Sequence, residues 1–263
     1  MIGLARDLFA HSIVTLSWWL IGILGMGVYV IAVYDSIAGI QDLQDLFDQY
    51  PESIRDLFGD VDLSTVNGWI QVELLSWIPL VFGMYGGIFA AGSISRETEQ
   101  RTVDFVLGLP VSRSQFLGSR LAVGLVNLGI MCITLFLLMV IGVALTGHSP
   151  SAGRYAFALL NAYLLGAALF SGYVLIASFT DEQARVTGIA IGATLVLYIA
   201  TGALNAADAP NWLQWLSPFE HYHSAEIMSG DGVPILPQVV LVVGGIIAAS
   251  AALYSYNRRD IAS

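Results

Sequence analysis

The sequence predicts an all-α integral membrane protein with six transmembrane helices. Three observations support this prediction: the 263 residues are 56% hydrophobic and only 11% charged, the charges are clustered, and long uncharged runs separate the clusters. Soluble domains carry about 25% charged residues, and a membrane-spanning helix needs about 20 apolar residues. The runs without Asp, Glu, Lys or Arg are 12–34, 74–95, 121–153, 155–180, 186–207 and 232–257. Six buried helices of a soluble protein are disfavoured, because such helices show a polar face.

These runs define the predicted spans within one transmembrane domain, residues 1–263. In chain order the spans cover about 12–34, 70–92, 121–145, 155–178, 186–205 and 235–256. We expect the first span to remain in the chain. Its apolar run is too long for the core of a signal peptide, and no A-x-A-like cleavage site follows it.

The arginines predict the orientation of the spans. With the N-terminus inside, the cytosolic segments hold eight arginines and the outer segments hold two. The cytosolic set is Arg6, Arg96, Arg101, Arg113, Arg120, Arg185, Arg258 and Arg259, and the outer set is Arg55 and Arg154. Because cytosolic loops carry an excess of Lys and Arg, both termini are predicted to be cytosolic.

The first outer loop, between the first two spans, is acidic. From Asp35 to Asp62 it carries eight carboxylates and the single arginine Arg55. Apolar residues recur every three or four positions from Ile37 to Phe47, which predicts an amphipathic helix ended by Pro51. A second short helix is predicted to run to Gly59. The acidic face of the first helix argues against its binding to anionic lipid headgroups. We therefore expect this helix to pack on protein.

The overall charge points to a source and excludes one class of partner. The chain has no lysine and a pI of about 4.6. Dense surface acid with arginine in place of lysine is typical of halophile-like proteins from high-salt cytoplasms. A solvated acidic face is the favoured interpretation of the first outer loop, and cation capture stays open as the alternative. No nucleic-acid partner is expected, because that role needs a basic footprint.

The missing lysine also excludes two kinds of chemistry. A P-loop needs its lysine on the nucleotide phosphates, and a Schiff-base or pyridoxal-phosphate enzyme needs a lysine amine. We therefore expect no ATP hydrolysis by this chain, no catalytic residue and no cofactor. The single cysteine, Cys132, lies within the third span and is interpreted as a small buried apolar side chain.

A polar island separates the second and third spans. It runs from Ser93 to Arg120 and holds four of the ten arginines. Its first half mixes charges with apolar residues such as Phe105, and Pro110 ends that half. Ser112 and Gln115 then have the spacing of a capping box, which predicts the start of a new helix. The island therefore predicts a short helix presented at the cytosolic surface.

The last outer loop, Ala206 to Leu236, has a different character. It carries the interfacial aromatic residues Trp212, Trp215, Phe219 and Tyr222, and four prolines interrupt it or border it. We predict short helices that partly re-enter the outer leaflet. His221, His223 and Glu226 have the residue types of a metal site. A hydrogen-bonded loop end is the favoured interpretation, and no metal is expected.

The spans are almost free of ionisable residues. Only Glu73 intrudes, near the outer end of the second span. Ion-coupled pumps place such residues at depth, so a secondary transporter is disfavoured. Asn127, Asn161 and Thr201 are candidates to line a translocation path, although interhelical hydrogen bonds are the usual role of such residues. Gly83-x-x-x-Gly87 is a candidate helix-contact motif.

A family resemblance rests mainly on the island. Its residues ISRETEQRTVDFVLGLPVSRSQFLGSRL resemble the segment after the second span of type-2 ATP-binding-cassette (ABC) exporter permeases. The family pattern is roughly I-x-x-E-x-x-x-x-T-x-x-x-L-x-x-P-[VI]-[ST]-R. The matching residues are Ile94, Glu97, Thr102, Leu109, Pro110, Val111, Ser112 and Arg113. The segment from Leu216 to Asp231 and the closing NRRDI resemble the family's last outer loop and its R-R-D ending. The acidic first outer loop and the absent lysine depart from the pattern.

The resemblance implies a single permease domain over 1–263 in the cell membrane. Two permease chains, as a homodimer or with a close paralogue, would surround a central path, each docked on a separate ATP-binding subunit. The island would carry the coupling helix, and the residues about Ile2 to His11 would lie flat on the inner leaflet. The residues implied at the ATPase interface are Glu97, Arg101, Asp104 and Phe105.

Two other classes stay open. A secondary transporter or channel not driven by ATP is disfavoured by the uncharged spans. An intramembrane enzyme is disfavoured because no HExxH motif is present, and because His148, His221 and His223 all lie in predicted outer segments. The sequence does not identify a cargo.

Overall fold

The structure is a computed structural model that describes residues 2–38, 62–95, 112–180, 182–207 and 209–258. In these ranges it is helical and contains no strand. The α-helices are α1 (Ile2–Ala38), α2 (Val66–Ile70), α3 (Ile78–Ala90), α4 (Arg113–Leu145), α5 (Ala152–Ala177), α6 (Gln183–Ala206), α7 (Asn211–Gln214), α8 (Ser224–Ser229) and α9 (Ile235–Arg258). Two π-helical segments, Gln71–Leu75 and Ala91–Ser95, flank α3, and a 3-10 turn covers Pro218–His221.

Six helical stretches are long and apolar enough to cross a membrane. They are Ala5–Ser36, Val66–Ser95, Arg113–Leu145, Ala152–Ala177, Gln183–Ala206 and Ile235–Arg258. Each overlaps one predicted span, so the all-α class with six spans is confirmed. The observed helices are longer than several predicted ones, because backbone hydrogen bonding continues past the charged residue that ends an apolar run.

The second and fourth spans form the centre of the bundle. In the most apolar 18-residue stretch of each span, 78% of the residues are buried in the second span and 56% in the fourth. In the last span only 11% are buried. Helix α5 contacts α3, α4 and α9, while α1 packs on α4 and α6 packs on α3. The outer helices therefore expose broad apolar faces, as a chain surrounded by lipid requires.

Small residues bring α3 against α6. A Cβ atom placed on Gly83 would lie 2.7 Å from Cγ2 of Thr194, and one placed on Gly87 would collide with Cβ of Ala190. Only a residue without a side chain allows so close an approach of two membrane helices. The Gly83-x-x-x-Gly87 motif is therefore a helix contact, as the sequence predicts.

Helix α4 begins with the predicted capping box. The Ser112 hydroxyl accepts from the Gln115 backbone N–H at 3.2 Å, and the Gln115 side chain accepts from the Ser112 N–H at 3.1 Å. The two bonds satisfy backbone donors that a helix start leaves unpaired. Pro110 and the first half of the island lie outside the described residues.

Helix α1 includes the residues that the resemblance places on the inner leaflet. It is a single helix of 37 residues from Ile2, so no break separates residues 2–11 from the span. The segment contains no proline or capping signal that would end a helix, which explains the continuity. Residues 2–11 thus continue the helix of the first span, and their flat position on the inner leaflet stays a prediction.

The two ends of the bundle are distinct. Phe116, at the start of α4, stacks on Tyr256 near the end of α9. Ser12 of α1 contacts Asn127 of α4, and Asp35 contacts His148, so α1 and α4 run in parallel. Ile2 and Arg258, the first and last described residues, thus lie at one end, called the termini end here, and the opposite end is called the distal end.

Candidate functional site

The four residues implied at the ATPase interface, Glu97, Arg101, Asp104 and Phe105, lie outside the described residues. The structure does describe the two chain segments that carry the island. The second span ends at Ser95, whose hydroxyl donates to the Thr180 carbonyl at 3.3 Å. The third span starts after Ser112. The island therefore leaves and re-enters the bundle at the termini end.

Arg120 lies where the island joins the helix bundle. It is only 2% exposed, although it is charged. Its Nε donates to the Ser93 carbonyl at 3.2 Å, and its Nη1 donates to the Phe116 carbonyl at 3.3 Å and to the Ser119 hydroxyl at 3.0 Å. The first bond joins the end of the second span to the start of the third, across 27 residues of chain.

The same arginine reaches the last span through an aromatic ring. Its guanidinium carbon lies 3.5 Å from the centre of the Phe116 ring, which is a cation–π contact. That ring stacks on Tyr256 with centroids 5.7 Å apart and planes at 7°. Arg120, Phe116 and Tyr256 therefore link three spans at the termini end, and we call this group the arginine junction.

Each of the three candidate path-lining residues makes a hydrogen bond within the protein. Asn127 and Asn161 are fully buried, and Thr201 is 8% exposed. The Nδ2 of Asn127 donates to the Ser12 hydroxyl at 3.2 Å, which links α4 to α1. The hydroxyls of Thr201 and Ser217 lie 2.6 Å apart. Their role as path lining stays a prediction.

Asn161 holds the last loop in place. Its Nδ2 donates to the His221 carbonyl at 3.2 Å, and its Oδ1 accepts from the His223 backbone N–H at 2.8 Å. One buried amide thus pairs both backbone groups around Tyr222, much as a neighbouring strand would. Asn161 and Thr201 both contact the loop at the distal end, residues 209–234, which we call the distal loop. Asn127 lies instead between α4 and α1.

The distal loop contains the predicted short helices α7 and α8 and a 3-10 turn. The Tyr222 hydroxyl of this loop donates to the Leu75 carbonyl at 2.9 Å, and Tyr198 of α6 donates to the neighbouring Ser76 carbonyl at 3.2 Å. Burial raises the pKa of the Tyr222 hydroxyl above its ordinary value. Through Tyr222 the loop is therefore anchored on the π-helical segment Gln71–Leu75 of the second span.

The histidines of this loop have separate partners. His221 Nε2 lies 3.2 Å from the Trp215 carbonyl, and His223 Nδ1 lies 3.2 Å from Glu226 Oε1. Burial lowers the pKa of His221, and the nearby His223 adds to that effect, while the Trp215 carbonyl and Glu220 oppose it. No group of three His, Cys, Asp or Glu side chains suited to a metal occurs among the described residues.

The sequence predicts Arg120 in a cytosolic segment, whereas the structure buries this residue between spans. One signal was present: Phe116 and Arg120 are four residues apart, a spacing that puts two side chains on one helix face. Gln71 and Asn67 were not predicted as functional residues, because no local pattern in the sequence marks them. Their contacts are with residues more than 80 positions away.

A comparison with protein-family models identifies the family of the chain. A family model described as ABC-2 family transporter protein matches residues 9–261. The match covers all six spans and the island between the second and third. No curated protein matches the chain.

Proposed function

Because the chain belongs to the ABC-2 family of transporter proteins, we propose that it is the permease subunit of an ABC exporter. In this proposal ATP is hydrolysed by a separate ATP-binding subunit, and the energy moves a cargo across the cell membrane. The chain itself has no lysine for a P-loop. A second permease chain, identical or closely related, would complete the path.

The arginine junction is the observation that supports coupling best. It sits where the island joins the bundle, and it bonds the end of the second span to the start of the third. Through Phe116 it also contacts the last span. A push on the island by a partner subunit would therefore reach three spans at once, whereas a flexible tether would absorb it.

The proposal also assigns the two ends of the bundle. The termini end would face the cytosol, where the arginine excess is expected, and the distal end would face outward. Glu97, Arg101, Asp104 and Phe105 would form the contact with the ATPase. Charged residues at the edge of such a contact steer docking, and a buried aromatic residue anchors it.

Co-purification with a P-loop ATPase from the same cells tests the proposal. We expect a stable complex whose ATPase activity differs from that of the ATPase alone. Glu97→Arg and Arg101→Glu should weaken the complex or remove that difference. Arg185→Glu, outside the island at the same end, is the control. The proposal fails if no complex forms, or if both island variants behave like the control.

A further inference from the structure

A largely apolar groove lies at the termini end, between the end of α5 and the last two turns of α9. Its volume is about 610 Å³, within the range of small-molecule sites. Phe179 and Tyr254, on its two sides, are 67% and 60% exposed, so the groove opens on the outside of the bundle. A chain in a membrane presents that surface to lipid. The lining residues are Leu175, Ser178, Phe179, Ala251, Tyr254, Ser255 and Arg258.

The polarity of the groove changes along its length. Leu175 and Ala251 form its inner part, and Arg258 lies at the end of the bundle. Ala251 and Arg258 are seven residues apart, which is about 10 Å along a helix. The groove thus has an apolar inner part and a cation at the membrane surface. A phospholipid has the same order, with its acyl chains inside and its phosphate at the surface.

Arg258 is the one charged residue among the described residues that line the groove. Its guanidinium carbon lies 4.4 Å from the centre of the Tyr254 ring, one turn earlier on α9. This ring contact is the one interaction that the Arg258 side chain makes with the described part of the chain. A ring occupies the flat face of a guanidinium and leaves the N–H groups at its edge available, and these groups match a phosphate.

Ser255 supplies a second donor. Its hydroxyl makes no hydrogen bond within the described ranges, whereas the Ser178 hydroxyl, across the groove, donates to the Leu175 carbonyl at 2.6 Å. Ser255 precedes Arg258 by three residues, so both side chains lie on one face of α9. No carboxylate occurs among the described lining residues. The groove therefore offers N–H and O–H donors to an anion at its outer end.

We infer that this groove binds an anionic phospholipid from the leaflet at the termini end. The phosphate contacts Arg258 and Ser255, and an acyl chain lies along Leu175 and Ala251. A free phosphate would leave the apolar walls without a partner. A headgroup with its own ammonium group, as in phosphatidylcholine, would place a second cation beside Arg258. Phosphatidylglycerol has acyl chains and a singly negative headgroup, and so satisfies both conditions.

Native mass spectrometry of the full chain in detergent tests the inference, by counting the lipids retained from equal amounts of phosphatidylglycerol and phosphatidylcholine. We expect phosphatidylglycerol to be retained about fivefold better, which is the contribution of one arginine near a surface of anionic lipid. Arg258→Met should remove this preference. Arg185→Met removes an exposed arginine at the same end that does not line the groove, and it should keep the preference.

Further variants locate the lipid in the groove. Ala251→Phe should fill the inner part and lower the retention of phosphatidylglycerol several-fold. Ser250→Phe adds the same side chain at an exposed neighbouring position of α9 and should leave retention unchanged. Ser255→Ala should weaken retention less than Arg258→Met, because a neutral hydrogen bond is weaker than one from a charged group. Melting temperatures in lipid-free detergent verify that each variant folds.

Three outcomes would overturn the inference. The unmodified chain could retain both lipids alike, or Arg258→Met could keep the preference for phosphatidylglycerol. In the third outcome, Ala251→Phe leaves lipid retention unchanged and shifts the chain between monomer and dimer, because a second copy then occupies the groove. None of these measurements involves the proposed ATPase partner, so the inference and the proposed function can fail separately.

Discussion

The guanidinium carbon of Arg120 lies 3.5 Å from the centre of the Phe116 ring, one helical turn earlier on α4. The pair is buried at the termini end, where the ring also stacks on Tyr256 of α9. Arg258 and the Tyr254 ring form a second cation–π pair at 4.4 Å, but on an exposed face. One chain thus offers the same contact in a buried and in an exposed setting.

The buried pair should matter far more for stability. Arg120→Met should lower the free energy of unfolding by about 2 kcal/mol or more, because the carbonyls of Ser93 and Phe116 lose a charged donor. Arg258→Met should change it by less than about 0.5 kcal/mol. Denaturant titration in detergent measures both. Similar losses in the two variants would contradict the special role of the junction.

The contact of α3 with α6 should respond to size at Gly87. Gly87→Ala should destabilise the protein by about 1–3 kcal/mol, since its Cβ would collide with Ala190. Adding Ala190→Gly should restore much of the loss, because the two sites share one contact. Gly188→Ala, on an open part of α6, is the control. Thermal unfolding that shows no rescue would argue against this packing.

Stability should fall as the pH drops below about 6.5, the ordinary pKa of histidine. Burial lowers the pKa of His221 in the folded state. The unfolded chain therefore takes up the proton first, which favours unfolding until the pH also passes the folded pKa. Melting temperatures between pH 7 and pH 5 should show this slope, and His221→Gln should reduce it. An unchanged slope in His221→Gln would assign the effect elsewhere.

Asn161 and Asn127 are both buried amides in spans, but only Asn161 contacts the distal loop. Asn161→Ala should raise amide hydrogen exchange at His223 about fivefold, since the loss of one hydrogen bond is worth about 1 kcal/mol. Asn127→Ala should leave that exchange unchanged. Mass spectrometry of the peptide spanning residues 215–229 measures the difference. Equal exchange in the two variants would contradict the anchoring role.

The orientation of the chain can be tested by labelling. In a Cys132→Ser background, Ser229→Cys should react with an impermeant thiol reagent added outside intact cells. Ser114→Cys should react only after the membrane is opened. Both serines are exposed in the structure, so access through the membrane decides the result. The opposite pattern would reverse the orientation derived from the arginines.

Local and periodic signals explain how much of the fold was predictable. The spans follow from uncharged runs, the start of α4 from the spacing of Ser112 and Gln115, and the α3–α6 contact from two glycines. Each of these signals lies within one segment of chain. Asn161 was predicted as path lining, but its hydrogen bonds hold His221 and His223, and no local pattern relates those positions.

The π-helical segments escaped prediction for a related reason. They add residues to a helical turn without changing its composition, so periodicity hardly registers them. The same holds for the arginine junction. A charge near a span end normally stays in water, and only the partners from the second and last spans make its burial possible.

The cross-linked distal loop has a mechanical consequence. It is fastened to the second span by Tyr222, to the fourth by Asn161 and to the fifth by Thr201. Parting these spans at the distal end would break several buried hydrogen bonds together, at about 1 kcal/mol or more each. These bonds favour movement of the second, fourth and fifth spans as one block at the distal end. A path through the membrane would then open between this block and a neighbouring chain. No path would open between the joined spans themselves.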